Sequence, residues 1–272
     1  MEEGCHKTHA ASTFLLACHT LKCYKNSFKT RPLKDGPGLE KPLANIDLQE
    51  IARFTTQADS WWEPKGEFKA LHEINPLRLA YVRDRAGLKG QRILDVGCGG
   101  GLLAEAMAAE GGRVTGIDMV GPALAVAQKH ALESGLTVDY CLATAEEWAR
   151  DHGGAYDVVT CMELVEHVPD PAGLIRALAE MVRPGGDVFF ATVNRTWPAR
   201  LLVIWLSEYV LRLVRRGTHT YHRFIQPQEL AHWGEQAGLE VRNLAGLRYM
   251  PFIGYAALCR STALNYLMHF KK

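Results

Sequence analysis

Apolar positions along this chain follow two rhythms. From residue 91 onward, short apolar runs at 91–96, 112–117, 137–142, 156–161 and 187–193 predict strands. Amphipathic stretches at about 101–110, 121–134, 145–151 and 171–182 lie between them and predict helices. Alternation of this kind predicts a parallel sheet with helices on both faces. Residues 45–88, before this region, have a helical pattern. Asp47 is placed to cap Leu48–Phe54 with Glu50 as a capping-box partner, and Asn75-Pro76 to open a helix through Val82. After residue 193 the alternation breaks into a long amphipathic segment at 197–216, a helix at about 226–237, a strand at 239–245 and a last strand within 262–269. No internal repeat or low-complexity tract is visible.

Composition narrows the class. The chain has 272 residues, 47% of them hydrophobic, enough for a packed core and too many for global disorder. A formal charge of +1 gives no whole-protein attraction to nucleic acid. Seven cysteines, several in or beside predicted strands, fit reduced thiols in a cytosolic protein better than a disulfide framework. No apolar run reaches the ~18 residues of a spanning helix. Residues 1–40 lack sustained periodicity and are expected to be a disordered extension, with one domain over 41–272. Cys5-His6, Cys18-His19 and Cys23 in that extension match no common structural zinc spacing.

Chemistry concentrates where the first strand ends. Ile93-Leu94-Asp95-Val96 runs into Gly97-Cys98-Gly99-Gly100-Gly101, and a helix follows. Glycines there let backbone approach a ligand and leave helix N–H groups facing it. The next strand ends in Asp118, placed to accept hydrogen bonds from both hydroxyls of a ribose. No Gly-Lys-Ser/Thr follows the glycines, so a P-loop is excluded. Nicotinamide, flavin and S-adenosylmethionine stay open on this motif alone.

Three motifs in order carry a resemblance. Asp95–Gly101, Tyr156-Asp157-Val158-Val159-Thr160-Cys161-Met162 and Val182-Arg183-Pro184-Gly185-Gly186 resemble those of class I S-adenosylmethionine-dependent methyltransferases. Trp61-Trp62, Gly66-Glu67-Phe68-Lys69, Ile74–Arg78, Cys161–Asp170 and Gly217-Thr218-His219 narrow it to the bacterial ubiquinone-biosynthesis O-methyltransferase family, over about residues 45–270. The resemblance implies a Rossmann-like, seven-stranded α/β sheet with an N-terminal helical cap and an amphipathic insertion, about 195–225, after the fifth strand. It also implies O-methylation of a polyprenyl hydroxyphenol (catechol) intermediate and of demethylubiquinol. Gly97 and Gly99 are expected at the methionine part of the cofactor, Asp118 at its ribose, Met162 near its sulfonium or adenine, and Arg78 at its carboxylate.

Glu163, Glu166 and His167 follow the fourth strand at i, i+3, i+4 spacing. Two roles stand open: a ligand set for Mg²⁺ or Zn²⁺, or His167 alone as general base. His219 and His222 are weaker candidates. In residues 200–216, Leu202, Val203, Leu206, Tyr209, Val210, Leu213 and Val214 share one helical face opposite Arg200, Glu208, Arg212, Arg215 and Arg216. Such a segment suits a lipid interface, the competing reading being a helix packed on the sheet. With a polyprenyl acceptor, the expectation is a cytoplasmic protein held peripherally at the inner membrane through 197–216, working beside other quinone-biosynthesis enzymes.

Overall fold

The computed structural model describes residues 45–199, 223–251 and 253–272. Helix α1 (Leu48–Gln57) and helix α2 (Lys69–Ala86) precede the sheet. Then β1 (Arg92–Val96), α3 (Leu102–Ala109), β2 (Arg113–Asp118), α4 (Gly121–Glu133), β3 (Val138–Leu142), α5 (Ala145–Ala149), β4 (Tyr156–Met162), α6 (Pro171–Met181) and β5 (Val182–Val193) alternate as the sequence pattern requires. Helix α7 (Pro227–Gln236) and strands β6 (Glu240–Met250), β7 (Tyr255–Cys259) and β8 (Asn265–Lys271) complete it.

The sheet order is β3-β2-β1-β4-β5-β8-β6-β7. Strands β1 to β5 pair in parallel, and β8 lies antiparallel between β5 and β6. Strand β1 is central, and its apolar side chains Ile93, Leu94 and Val96 are buried. A strand covered on both faces carries a continuous apolar run rather than an alternating one. Strand order reverses between β1 and β4, so their carboxyl ends open the crevice where ligands bind in such sheets.

Four expectations change. The sheet has eight strands rather than seven, because β6 continues past residue 245 to Met250 and pairs there with an added edge strand, β7. A short edge strand of mixed character leaves little periodic signal. Pro76 lies inside α2 and does not open it. Asn75 Nδ2 donates to the Leu102 carbonyl instead of capping, at 2.9 Å. Burial of Ile74, Tyr81 and Val82 on the same helix offsets a proline cost of roughly 3 kcal/mol. The fifth strand begins at Val182, and Pro184-Gly185-Gly186 loops out where the register shifts against β4. Asp47 caps α1 through Gln49 N and Glu50 N, but Glu50 does not return to close a capping box. The 1–40 extension, the heart of the 197–216 segment, His219 and His222 lie outside the described residues.

Candidate active site

The glycine turn holds its shape for two reasons. Gly97 and Gly99 have φ of 73° and 52°, a region that L side chains rarely enter. A Cβ on Gly99 would also lie 2.4 Å from the Trp61 ring, and one on Gly97 would lie 2.8 Å from Leu164 Cδ2. Trp61 stacks on Phe68 with ring centroids 3.9 Å apart, and Trp62 Nε1 donates to the Gly100 carbonyl at 2.9 Å. The helical cap is thus pinned directly onto the loop. Asp118, at the end of β2, accepts from Gly99 N at 2.8 Å and from Val120 N at 2.7 Å. Burial raises its pKa, and these backbone donors hold it back. A carboxylate has about four lone-pair sites, so two further donors can still be accepted.

Under the same crevice, Thr160 Oγ1 donates to Asp95 Oδ1 at 2.6 Å, and burial pushes the Asp95 carboxyl up to about 7. The end of β4 is more strained. Glu163 is the one non-glycine with positive φ, 54°, among the described residues. Such backbone costs about 1–3 kcal/mol and persists only when its surroundings fix it. Here Glu163 Oε1 accepts from Arg78 Nη2 at 2.5 Å. Arg78 is buried, and its Nε has no partner. Met162 belongs to the main core and also borders the cavity.

Beyond it, Glu166 is 4% exposed and its Oε2 has no partner. Burial, with the Glu163 charge adding to it, lifts Glu166 to about 7. His167 Nδ1 lies 3.2 Å from Glu50 Oε2, a contact that becomes an ion pair when the imidazole is protonated. Burial lowers the His167 pKa, but Glu50 and Glu166 outweigh it and the net shift is upward. Burial likewise raises Glu50, but His167 and the neighbouring arginines bring it below its ordinary value. Phe54 meets the His167 ring edge-on at 5.6 Å. Gly97, Gly99, Asp118, Arg78, Met162, Glu163, Glu166, His167 and Glu50 all line a single cavity of about 850 Å³.

A family model described as "Methyltransferase domain" matches residues 71–244. "Ubiquinone biosynthesis O-methyltransferase" of Cronobacter sakazakii (strain ATCC BAA-894) is 52% identical over 85% of this chain and 96% of its own length. That of Aromatoleum aromaticum is 52% identical over 84% of this chain and 97% of its own. The chain belongs to the ubiquinone biosynthesis O-methyltransferase family. A crystal structure of magnesium protoporphyrin IX methyltransferase from Synechocystis PCC 6803 with bound SAH aligns with a TM-score of 0.56 at 15% identity, over 96% of this chain and 99% of that one. At that identity the likeness speaks for the fold, that of the class I methyltransferases.

Within this family frame the cavity brings the expected cofactor residues together. The metal expectation fares differently. Among the described residues no group of three His, Cys, Asp or Glu side chains could hold a metal ion. Glu163 is turned to Arg78, His167 to Glu50, and Glu166 is buried, so Glu163, Glu166 and His167 do not fit Mg²⁺ or Zn²⁺ in this arrangement. Their i, i+3, i+4 spacing converges only on a regular helix. Here Glu163 sits in left-handed backbone after a strand. Sequence reasoning missed Glu50 at the site. Its spacing from Asp47 pointed to a cap, and nothing local marks a contact with a histidine so far along the chain.

Proposed function

We propose that this chain is an S-adenosylmethionine-dependent O-methyltransferase of ubiquinone biosynthesis, folded as one domain over 41–272. Its acceptors are a polyprenyl hydroxyphenol (catechol) intermediate and demethylubiquinol. The observation that carries the reading is one cavity lined both by the glycine turn with Asp118 and by the Glu50–His167 pair. A nucleoside-type cofactor and a base for the acceptor thus face the same space.

The residues present fit S-adenosylmethionine. The unpartnered Nε of buried Arg78 suits its carboxylate, Gly97 and Gly99 give its methionine part close backbone, and Asp118 has spare acceptors for the ribose hydroxyls. Met162 borders the cavity beside them. When bound, the cofactor supplies a methyl group on an electrophilic sulfonium centre. The protein's own task is to orient an acceptor oxygen and take its proton. A phenol titrates near 10, so ionising it at pH 7 costs about 4 kcal/mol. His167 takes that proton, and Glu50 orients the imidazole and stabilises its charged form. Contacts of this kind are often poorly aligned before the reacting complex forms.

No helix among the described residues is long and apolar enough to cross a membrane. A polyprenyl acceptor resides in the bilayer, which supports peripheral association with the inner membrane, beside other quinone-biosynthesis enzymes. The 197–216 segment remains part of that proposal on its sequence pattern alone.

The test is methyl transfer from labelled S-adenosylmethionine to a short-tailed demethylubiquinol, with and without EDTA. Labelled product that is indifferent to EDTA is expected, with His167 as base. Activity abolished by EDTA and restored by Mg²⁺ or Zn²⁺ would keep the reaction and restore the metal expectation. Cofactor binding without transfer would overturn the acceptor.

A further inference from the structure

The cavity runs further along the sheet than a cofactor and one reacting ring require. In sheet order its polar residues come first: Asp118 at the end of β2, the glycine turn after β1, and Glu163 and His167 after β4. Across β5, β8 and β6 the wall continues as one row. Val193 pairs with Asn265 and Asn265 with Leu247, so the three lie level. Paired residues share a face of the sheet, and all three line the cavity. In the order β4-β5-β8-β6, strand β6 stands three strand spacings from β4, roughly 14 Å. An aromatic ring held at His167 does not reach the far part of that span.

The far end is apolar. Val193 and Leu247 are buried, and Leu264 and Pro251 line the cavity beside them. Asn265 is the polar member of the row, and its strand is one step closer to β4 than that of Leu247. Tyr249 lines the cavity too, and its hydroxyl donates to Glu73 Oε2 on α2 at 2.5 Å. Burial, with the Glu73 contact adding to it, raises the Tyr249 phenol above its ordinary value, so it keeps the proton that it donates. Lys69 Nζ lies 3.6 Å from Glu73 Oε1 and steadies the carboxylate. The hydroxyl is thus engaged by the cap, and the aromatic ring is the part of Tyr249 left for the cavity.

We propose that this end of the cavity is a subsite for the branched apolar chain on the acceptor ring, seating its first isoprenyl unit on Val193 and Leu247 against the Tyr249 ring. Leu247 and Tyr249 are then specificity-determining residues, and Glu73 is a positioning residue that acts by holding Tyr249. The inference deepens the reading of a polyprenyl acceptor and rests on it. Occupant and reaction share one continuous cavity, and the row of paired residues leads directly from β5, beside the base, to the apolar end. Binding energy gained there is remote from the reacting oxygen and serves to orient it. A chain seated at β6 fixes the rotation of the ring, and with it which hydroxyl of a catechol faces His167.

The full-length protein is offered two soluble catechols, one with an isoprenyl group beside a hydroxyl and one with a methyl group in its place. For the parent, Leu247→Ala, Tyr249→Ala, Tyr249→Phe and Glu73→Ala, kcat/KM is measured with labelled S-adenosylmethionine. Affinity for each catechol is measured by calorimetry with S-adenosylhomocysteine bound. The ratio between the two acceptors is internal to each variant, so a general loss of folding or rate cancels from it. One added methylene in an apolar pocket is worth about 10- to 200-fold, so the parent is expected to favour the isoprenyl catechol by about tenfold or more. Leu247→Ala and Tyr249→Ala should each cut that ratio by roughly fivefold or more, and raise the share of product methylated on the oxygen beside the chain. Tyr249→Phe and Glu73→Ala should cut it by about twofold, since one hydrogen bond is lost and the ring stays. Combining these two should cut it no further. Should Leu247→Ala fail to fold, Tyr249→Ala, at a half-buried position, decides alone. A parent ratio near one, or a ratio that neither alanine variant moves, overturns the proposal and leaves the methyltransferase reading intact. Preferential binding of the isoprenyl catechol without transfer to either acceptor would keep the subsite and sink the reaction. Neither binding nor transfer would sink both.

Discussion

Asp118 and His167 border the same cavity and are held in opposite ways. Asp118 is fixed by main-chain donors, Gly99 N and Val120 N, both supplied by the turns that end β1 and β2. His167 is fixed by a side chain, Glu50, brought from α1 outside the sheet. One end of the site is therefore built by the fold of adjoining strands. The other exists only when the helical cap is docked. The contrast teaches that Asp118 needs only neighbouring backbone to be positioned, whereas His167 depends on a side chain carried by α1.

The sharpest way to break this comparison is to remove one member at each end. His167→Ala is expected to lower kcat by roughly 10²–10⁴-fold, the usual worth of a general base, while S-adenosylmethionine affinity stays near its parent value. Calorimetric titration of the cofactor beside steady-state kinetics checks this. A kcat within threefold of the parent would remove His167 from the chemistry.

Asp118→Ala is expected to act the other way. Losing charge-assisted hydrogen bonds worth about 1.5–3 kcal/mol weakens cofactor binding about 10- to 150-fold. The kcat at saturating cofactor should change far less. Equal losses in kcat and affinity would mean that the two ends are not separable.

The smallest effect sharpens the role of the cap. Glu50→Gln leaves His167 in place but removes the charge that raises its pKa. The expected result is a fall of several-fold in kcat/KM, with the acid limb of its pH profile displaced to lower pH. The stability difference has its own signature. The raised His167 contributes stability present below its ordinary 6.5 and lost as pH rises through its folded value. The lowered Glu50 contributes stability present above its ordinary 4.5 and lost as pH falls through its folded value. The melting difference from the parent should therefore peak between 4.5 and 6.5. A profile that does not move would reduce Glu50 to a packing role.

These residues also show how far a sequence carries. Gly97, Gly99 and Asp118 were legible because their partners are backbone groups of the strands and turns that the hydrophobic rhythm already marks. Glu50 was legible only as a cap, because a contact across the fold leaves no local pattern. Glu163, Glu166 and His167 were legible as a cluster, but not the side-chain partners that each one meets. Convergence at that spacing presumes a helix, and Glu163 has left-handed backbone. Arg78 was placed at the cofactor by resemblance, and the structure adds that Glu163 already holds one of its nitrogens.

The sequence by itself determined the α/β alternation, the parallel character of the β1–β5 half and the place of the glycine turn, because burial period and turn chemistry are local properties. Only the tertiary structure decided the eighth strand, the seat of Trp61 on the glycines and the partner of His167. Each of these depends on which distant surfaces meet. That choice is made by the packing of the whole core rather than by any window of the chain.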